Sequence, residues 1–247
     1  MIFTDAVYLE DLNGKKYFSR RELLQSFRKG GFALSDAAFS KKVTSMVQSG
    51  DIVRVGKDVY SLPDEQIYPY KHEYSDLANE LAEIIKEQYP LIDFTVFELI
   101  QLNDFVNHQL AHNVLFLSAE SEVKNFIFDT LKDRYFGKVF LDPSPEIYHQ
   151  YWSDNMIILT KLVTEAPMGQ DVIWHTRLEK LLVDIMSDDL ILESVTPSEY
   201  PMIYEDAFSR YIVDESCMFR YARRRKTDKK IKSLIQEKTD ITLRTTE

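Results

Sequence analysis

Ser35-Asp36-Ala37-Ala38-Phe39-Ser40-Lys41-Lys42-Val43-Thr44-Ser45-Met46-Val47-Gln48-Ser49-Gly50-Asp51-Ile52-Val53-Arg54-Val55-Gly56-Lys57-Asp58-Val59-Tyr60-Ser61-Leu62 is the stretch that decides the fold of the front of this chain. Ser35 is a natural helix N-cap, because its hydroxyl can accept from a backbone N–H that the first turn leaves unpaired. Phe39, Val43, Met46 and Val47 follow at the i, i+4, i+7, i+8 spacing of one buried helical face. Gly50 stands where a left-handed residue ends a helix without steric cost. Two short runs of alternating apolar residues then flank Gly56-Lys57-Asp58, the pattern of a β-hairpin.

A second helix is legible upstream. Ser19-Arg20-Arg21-Glu22 fits a capping box, Leu23, Leu24 and Phe27 make an apolar stripe, and Gly30-Gly31 stops it. Helix, helix and hairpin in this order predict a winged helix-turn-helix from about Phe18 to Leu62, within a domain of residues 1–63. At 100° per residue, the side of the Ser35 helix opposite Phe39 carries Ala37, Lys41, Thr44, Ser45 and Gln48. These side chains are small, polar or cationic, which suits a helix entering the major groove of duplex DNA. Lys42 lies nearer the core rim and suits the phosphate backbone. Arg54 and Lys57 project from the hairpin, and Arg20 and Arg21 open the first helix at its positive dipole end. The same pattern also serves as a structural or protein-binding module, and both readings stand at this point.

Leu62-Pro63-Asp64-Glu65-Gln66-Ile67-Tyr68-Pro69 has two prolines and no helical period, so residues 64–73 read as a linker. Beyond it, residues 74–247 alternate in type. Helices are expected over Ser75–Gln88, Leu102–Leu110, Glu122–Tyr135 and Pro145–Trp152, and strands over Phe94–Leu99, Asn113–Leu117, Lys138–Leu141 and Met156–Leu162. From Thr176 the pattern is helical, with breaks near Pro197, Pro201 and Asp214. The expected fold class is α/β: about four mostly parallel strands with packed helices and a helical C-terminus.

The 247 residues are 45% hydrophobic and 28% charged, a globular composition. No apolar run is long enough to span a membrane. The start carries Asp5 and no basic segment, unlike a secretory signal. Cys217 is the sole cysteine, which excludes an intramolecular disulfide and cysteine-rich zinc sites and points to the cytoplasm. The net charge of −10 is unevenly spread: residues 1–63 carry +3 (ten Lys/Arg, seven Asp/Glu), residues 64–209 carry −18 (nine, twenty-seven), and residues 210–247 carry +5 (eleven, six). An acidic middle repels nucleic acid, so phosphate contacts belong at the two ends.

Near the C-terminus Arg220, Arg223, Arg224, Arg225, Lys226, Lys229, Lys230 and Lys232 form a basic run. It reads equally as a functional surface, contacting phosphate or an acidic partner, or as a solvated helix. His108 and His112, four apart on an expected helix, could share a metal, but no third ligand is evident; they and His175 read as surface or packing residues. Asp93, Glu98, Asp142 and Glu122-Val123-Lys124 are the pieces of a metal-dependent nuclease, but Glu122 and Lys124 fall at a helix start and the spacing does not close. No nucleophile elbow, phosphate-binding glycine loop or dinucleotide fingerprint is present. Tyr135, Phe136, Phe140, Tyr148, Tyr151 and Trp152 are expected to pack the sheet. Neither catalytic residue, cofactor nor metal site is assigned.

Two stretches carry a resemblance. Met46-Val47-Gln48-Ser49-Gly50-Asp51-Ile52-Val53-Arg54-Val55 and Asp58-Val59-Tyr60-Ser61-Leu62, with Arg177-Leu178-Glu179-Lys180-Leu181-Leu182-Val183-Asp184 further on, resemble the antitoxins of bacterial AbiE-type abortive-infection (type IV toxin–antitoxin) systems. Residues 90–165 carry no part of the likeness. The resemblance implies a winged helix that represses its own operon, expected at upstream inverted repeats; the few contacts of one copy call for a homodimer or cooperative binding. It also implies a C-terminal domain that counters a nucleotidyltransferase-like toxin without requiring a stable complex. The alternatives are a winged-helix regulator with a ligand-sensing or dimerising α/β domain, and a nuclease-like DNA-processing enzyme.

Overall fold

The computed structural model of the chain describes residues 9–12, 15, 17–56, 58–63, 69–192 and 194–243. The chain divides into two compact units. One holds the residues up to Pro69 with Ser209–Ser216 and the end from Leu243; the other holds Tyr70–Phe208 and Cys217–Thr242. The division between Pro69 and Tyr70 falls inside the stretch read as a linker, and the return of Ser209–Ser216 to the first unit has no signal in the sequence.

The front unit is built on two capped helices. Helix α1 (Arg20–Lys29) starts with both halves of the capping box: Ser19 Oγ accepts from the Glu22 amide, and the Glu22 carboxylate accepts from the Ser19 amide at 2.7 Å. Lys15 adds an ion pair to the same carboxylate, and its bond, with those from Ser19, holds Glu22 down at about 2. Helix α1 ends where Gly31 turns left-handed (φ 87°) and the Phe32 amide reaches back to the Phe27 carbonyl. Helix α2 (Asp36–Ser49) starts on the Ser35 hydroxyl, which accepts from the Ala38 amide, and stops at left-handed Gly50 (φ 81°).

Strands β2 (Val53–Gly56) and β3 (Val59–Ser61) form the hairpin, with a register shift between Arg54 and Gly56. A two-residue strand, β1 (Phe18–Ser19), pairs antiparallel on the other side of β3 and makes a three-stranded sheet in the order β1-β3-β2. Leu23, Phe27, Phe39, Val43, Met46, Ile52 and Tyr60 close the core between helices and sheet. Phe27 meets Phe39 edge-on at 5.8 Å, and Phe18 stacks with Tyr60 at 6.3 Å. Each fully buried side chain of this size contributes roughly 1.5–3 kcal/mol.

The back unit is a mixed α/β sandwich. Its four strands, β4 (Phe94–Glu98), β5 (Val114–Ala119), β6 (Val139–Leu141) and β7 (Met156–Lys161), lie in the order β4-β5-β7-β6. β5, β7 and β6 run parallel, while β4 is antiparallel to β5. Both faces of β5 are buried, which is why Val-Leu-Phe-Leu lacks a period of two. Helices α3 (Asp76–Gln88) and α4 (Lys124–Arg134) pack Leu81, Ile85, Ile127 and Leu131 on Val96, Leu115, Leu117, Ile157 and Leu159. Helix α5 (Pro145–Tyr151), capped by Ser144, joins β6 to β7.

The helix expected over Leu102–Leu110 is absent. A 3-10 turn spans Leu99–Asp104, and the chain is irregular to Asn113. Asn103 explains this: its amide donates to the Leu110 carbonyl and its oxygen accepts from the Leu110 amide, closing a loop in place of helical bonds. Buried Leu99, Leu102, Phe105 and Val106 imitated a helical period. The far edge of β4 takes up Trp174, whose carbonyl accepts from the Val96 amide.

Five helices complete the chain: α6 (Leu178–Asp184), α7 (Asp189–Leu192), α8 (Tyr200–Arg210), α9 (Glu215–Arg224) and α10 (Asp228–Lys238). Pro201 lies in the first turn of α8 and does not break the helix, because the amide it lacks has no partner there anyway. No helix among the described residues is long and apolar enough to cross a membrane.

Candidate nucleic-acid interface

Helix α2 presents two distinct sides. Phe39, Val43 and Met46 are buried, while Ala37, Lys41, Thr44, Ser45 and Gln48 are all exposed and form one strip along the opposite side. The Thr44 hydroxyl donates to the Ser40 carbonyl, so it offers the outside a methyl group and an acceptor oxygen. Lys42 is half-buried at the rim, Arg54 is exposed on β2, and Lys57 lies outside the described residues.

The two arginines that open α1 differ. Arg21 is exposed. Arg20 is half-buried: its guanidinium donates to Ser40 Oγ at 2.8 Å and lies 4.9 Å over the Phe39 ring. It ties α1 to α2 and is committed to that contact. Ser40, which the periodicity left unmarked, is therefore the residue that positions Arg20; it also donates to the Asp36 carbonyl. Arg20, Arg21, Leu24, Asp36, Phe39 and Asp58 surround a hollow of about 560 Å³ whose charge is mixed, with a carboxylate for each guanidinium.

The basic run near the C-terminus does not form one cationic surface. Arg220 and Arg224 both pair with Glu165, at 3.7 and 2.7 Å. Arg225 is turned inward, with Nε donating to Ser187 Oγ at 2.9 Å and Asp184 and Asp188 within 3.8 Å. Lys230 donates to the Met186 carbonyl, and Lys232 lies over the Phe219 ring. Arg223, Lys226 and Lys229 remain exposed. Acids far away in sequence pair with three of the eight; Arg220 and Arg224 stay exposed in doing so, and Arg225 is turned inward.

The Arg177–Asp184 stretch forms α6 and its cap, and it is a core element. Glu179, Lys180 and Asp184 are buried. Lys180 Nζ donates to Asp184 Oδ2 at 2.6 Å, and the Tyr221 hydroxyl donates to Asp184 Oδ1 at 2.9 Å. Burial raises the Tyr221 phenol well above its ordinary value, and burial beside Asp184 raises the Asp188 carboxyl.

The nuclease pieces are dispersed. Lys124 pairs with Asp142, whereas Glu98 is fully buried elsewhere, accepting from His72, the Ser75 amide and Asn113. Burial pushes the Glu98 carboxyl up, and those bonds outweigh it and hold it below the ordinary range. His108 and His112 sit on the irregular loop and not on a helix; His108 contacts Glu199, and His112 meets the Trp152 ring. Among the described residues no three His, Cys, Asp or Glu side chains converge to hold a metal ion. Cys217 is buried. Of the aromatic set, Tyr148 packs inside, but Phe136, Tyr151 and Trp152 are exposed, against expectation.

No curated protein matches the chain. Among solved structures, the crystal structure of the RV2827C protein from Mycobacterium tuberculosis is similar at 10% identity, over 96% of this chain and 80% of that one, with a TM-score of 0.24. At that level the likeness transfers neither fold nor function. The profile of DUF6577, a family of unknown function, matches residues 38–241, from early in α2 to beyond α10. The chain belongs to that family.

Proposed function

We propose that this protein is a DNA-binding antitoxin of a bacterial type IV toxin–antitoxin system that represses its own operon. The observation that carries the proposal is the exposed strip of Ala37, Lys41, Thr44, Ser45 and Gln48 on α2, opposite a core of Phe39, Val43 and Met46. Two helices and a three-stranded antiparallel sheet are the parts of a winged helix-turn-helix. In this reading α2 enters the major groove, Lys41 reaches a phosphate or guanine edge, and the hairpin bearing Arg54 follows the backbone as the wing. The +3 charge of the front gives one copy few phosphate contacts, so tight binding takes two copies on an inverted repeat. The likeness of residues 46–62 and 177–184 to AbiE-type antitoxins extends the reading to the back unit, which would counter a nucleotidyltransferase-like toxin.

Two assays test the two halves. The purified protein should retard duplex DNA from upstream of its own gene and not a scrambled duplex of equal length. Co-expression should restore growth to a host arrested by a nucleotidyltransferase-like toxin encoded beside it. Equal retardation of both duplexes would refute specific repression, and unrelieved arrest would refute the antitoxin role.

A further inference from the structure

The irregular loop that replaces the expected helix borders a hollow of about 340 Å³ in the back unit. Leu99, Leu110 and Tyr148 form its apolar side, and His112, His149 and Trp152 lie around it. Trp152 is 42% exposed, at the C-terminal end of α5. Its ring stands at 83° to the His112 ring with centroids 5.0 Å apart. Asp154 braces this wall: its Oδ1 accepts from the Asn113 amide at 2.9 Å and lies 3.9 Å from His112 Nδ1. Trp152 is thus partly exposed at the hollow, with the His112 ring against it.

We infer that this hollow binds a neutral, planar heteroaromatic ligand, of the class of a nucleobase or nucleoside, against Trp152. Size sets the first limit, since about 340 Å³ is at the small end of small-molecule sites. The lining sets the second. An aromatic ring rewards a flat ligand, and the His112 imidazole can hydrogen-bond a ring nitrogen or carbonyl. Charge sets the third. Among the described residues that line the hollow none is Asp, Glu, Lys or Arg, and residues 64–209 carry a net −18, a field that opposes a phosphate. The inference is independent of DNA binding by the front unit and survives or fails separately from it.

Saturation-transfer NMR on the full chain, with adenosine, uridine and adenosine monophosphate as probes at millimolar concentration, tests it. At least one nucleoside should show saturable transfer to its base protons. Trp152→Ala should weaken this at least about fivefold, the effect of losing one base stack, and Trp152→Phe should restore part of it. Far-UV circular dichroism verifies that the variants fold; His112→Ala, on an exposed loop, should weaken binding independently. Absence of saturable binding, or binding indifferent to both Trp152→Ala and His112→Ala, overturns the site. Tighter binding of the monophosphate than of adenosine overturns the assignment of a neutral ligand.

Discussion

Lys180 and Asp184, one helical turn apart on α6, form a 2.6 Å ion pair with both side chains almost wholly buried. Tyr221 and Arg225, from and just beyond α9, join the same carboxylate. Two cations taken from water need that acid. Asp184→Ala should therefore cost about 3–5 kcal/mol of stability. Tyr221→Phe, which removes one hydrogen bond, should cost about 1–2 kcal/mol. Urea unfolding of the three proteins measures both. A Asp184→Ala loss no larger than that of Tyr221→Phe would mean that the pair does not hold the helices.

Glu98 gives the back unit an acid-sensitive element. Its pKa in the fold lies below the ordinary glutamate value of 4.5. Its stabilising contribution is therefore complete above that value and is lost as pH falls from there through the folded value. Glu98→Gln, similar in shape, should flatten the fall in stability below about pH 4.5 relative to the wild type. Urea midpoints taken from neutral pH to pH 3 measure the difference between the slopes. Parallel curves would contradict the assignment.

At Lys226 a non-glycine residue adopts the left-handed conformation (φ 58°) after α9, with the Thr227 amide bonded back to the Ala222 carbonyl. Glycine has no Cβ penalty there, so Lys226→Gly should stabilise the protein by about 1 kcal/mol. Thermal denaturation would show a raised midpoint. A lowered midpoint would mean that the Lys226 side chain makes a compensating contact.

Ser19 closes β1 and caps α1 in adjacent steps. Ser19→Ala should cost about 1 kcal/mol through the cap. It should leave the Ser19–Val59 pairing intact, because that pairing is backbone only. Hydrogen exchange should therefore rise at the Glu22 amide and not along β3.

What was legible in the sequence was local. Ser19 and Ser35 announce their helices because a cap needs only the next three residues, and Gly50 announces an end because its conformation excludes most other side chains. What was not legible depends on partners distant in sequence. Nothing near Arg225 reveals that Asp184 and Asp188 will draw it inward, and nothing near Arg224 reveals Glu165. The apolar spacing of Leu102, Phe105 and Val106 reads as helix until Asn103 takes the Leu110 backbone for itself. On α2, the division into a buried and an exposed side followed from periodicity alone. The role of Ser40 in holding Arg20 did not, because it depends on where α1 crosses.

Lys41 carries the central claim. Fluorescence anisotropy of the upstream duplex, titrated across salt concentrations with wild-type protein and Lys41→Ala, tests it most directly. The account predicts weaker binding by the variant and a log–log salt slope shallower by about one unit per bound copy, the loss of one phosphate contact. Unchanged affinity together with an unchanged slope would contradict it and remove α2 from the DNA.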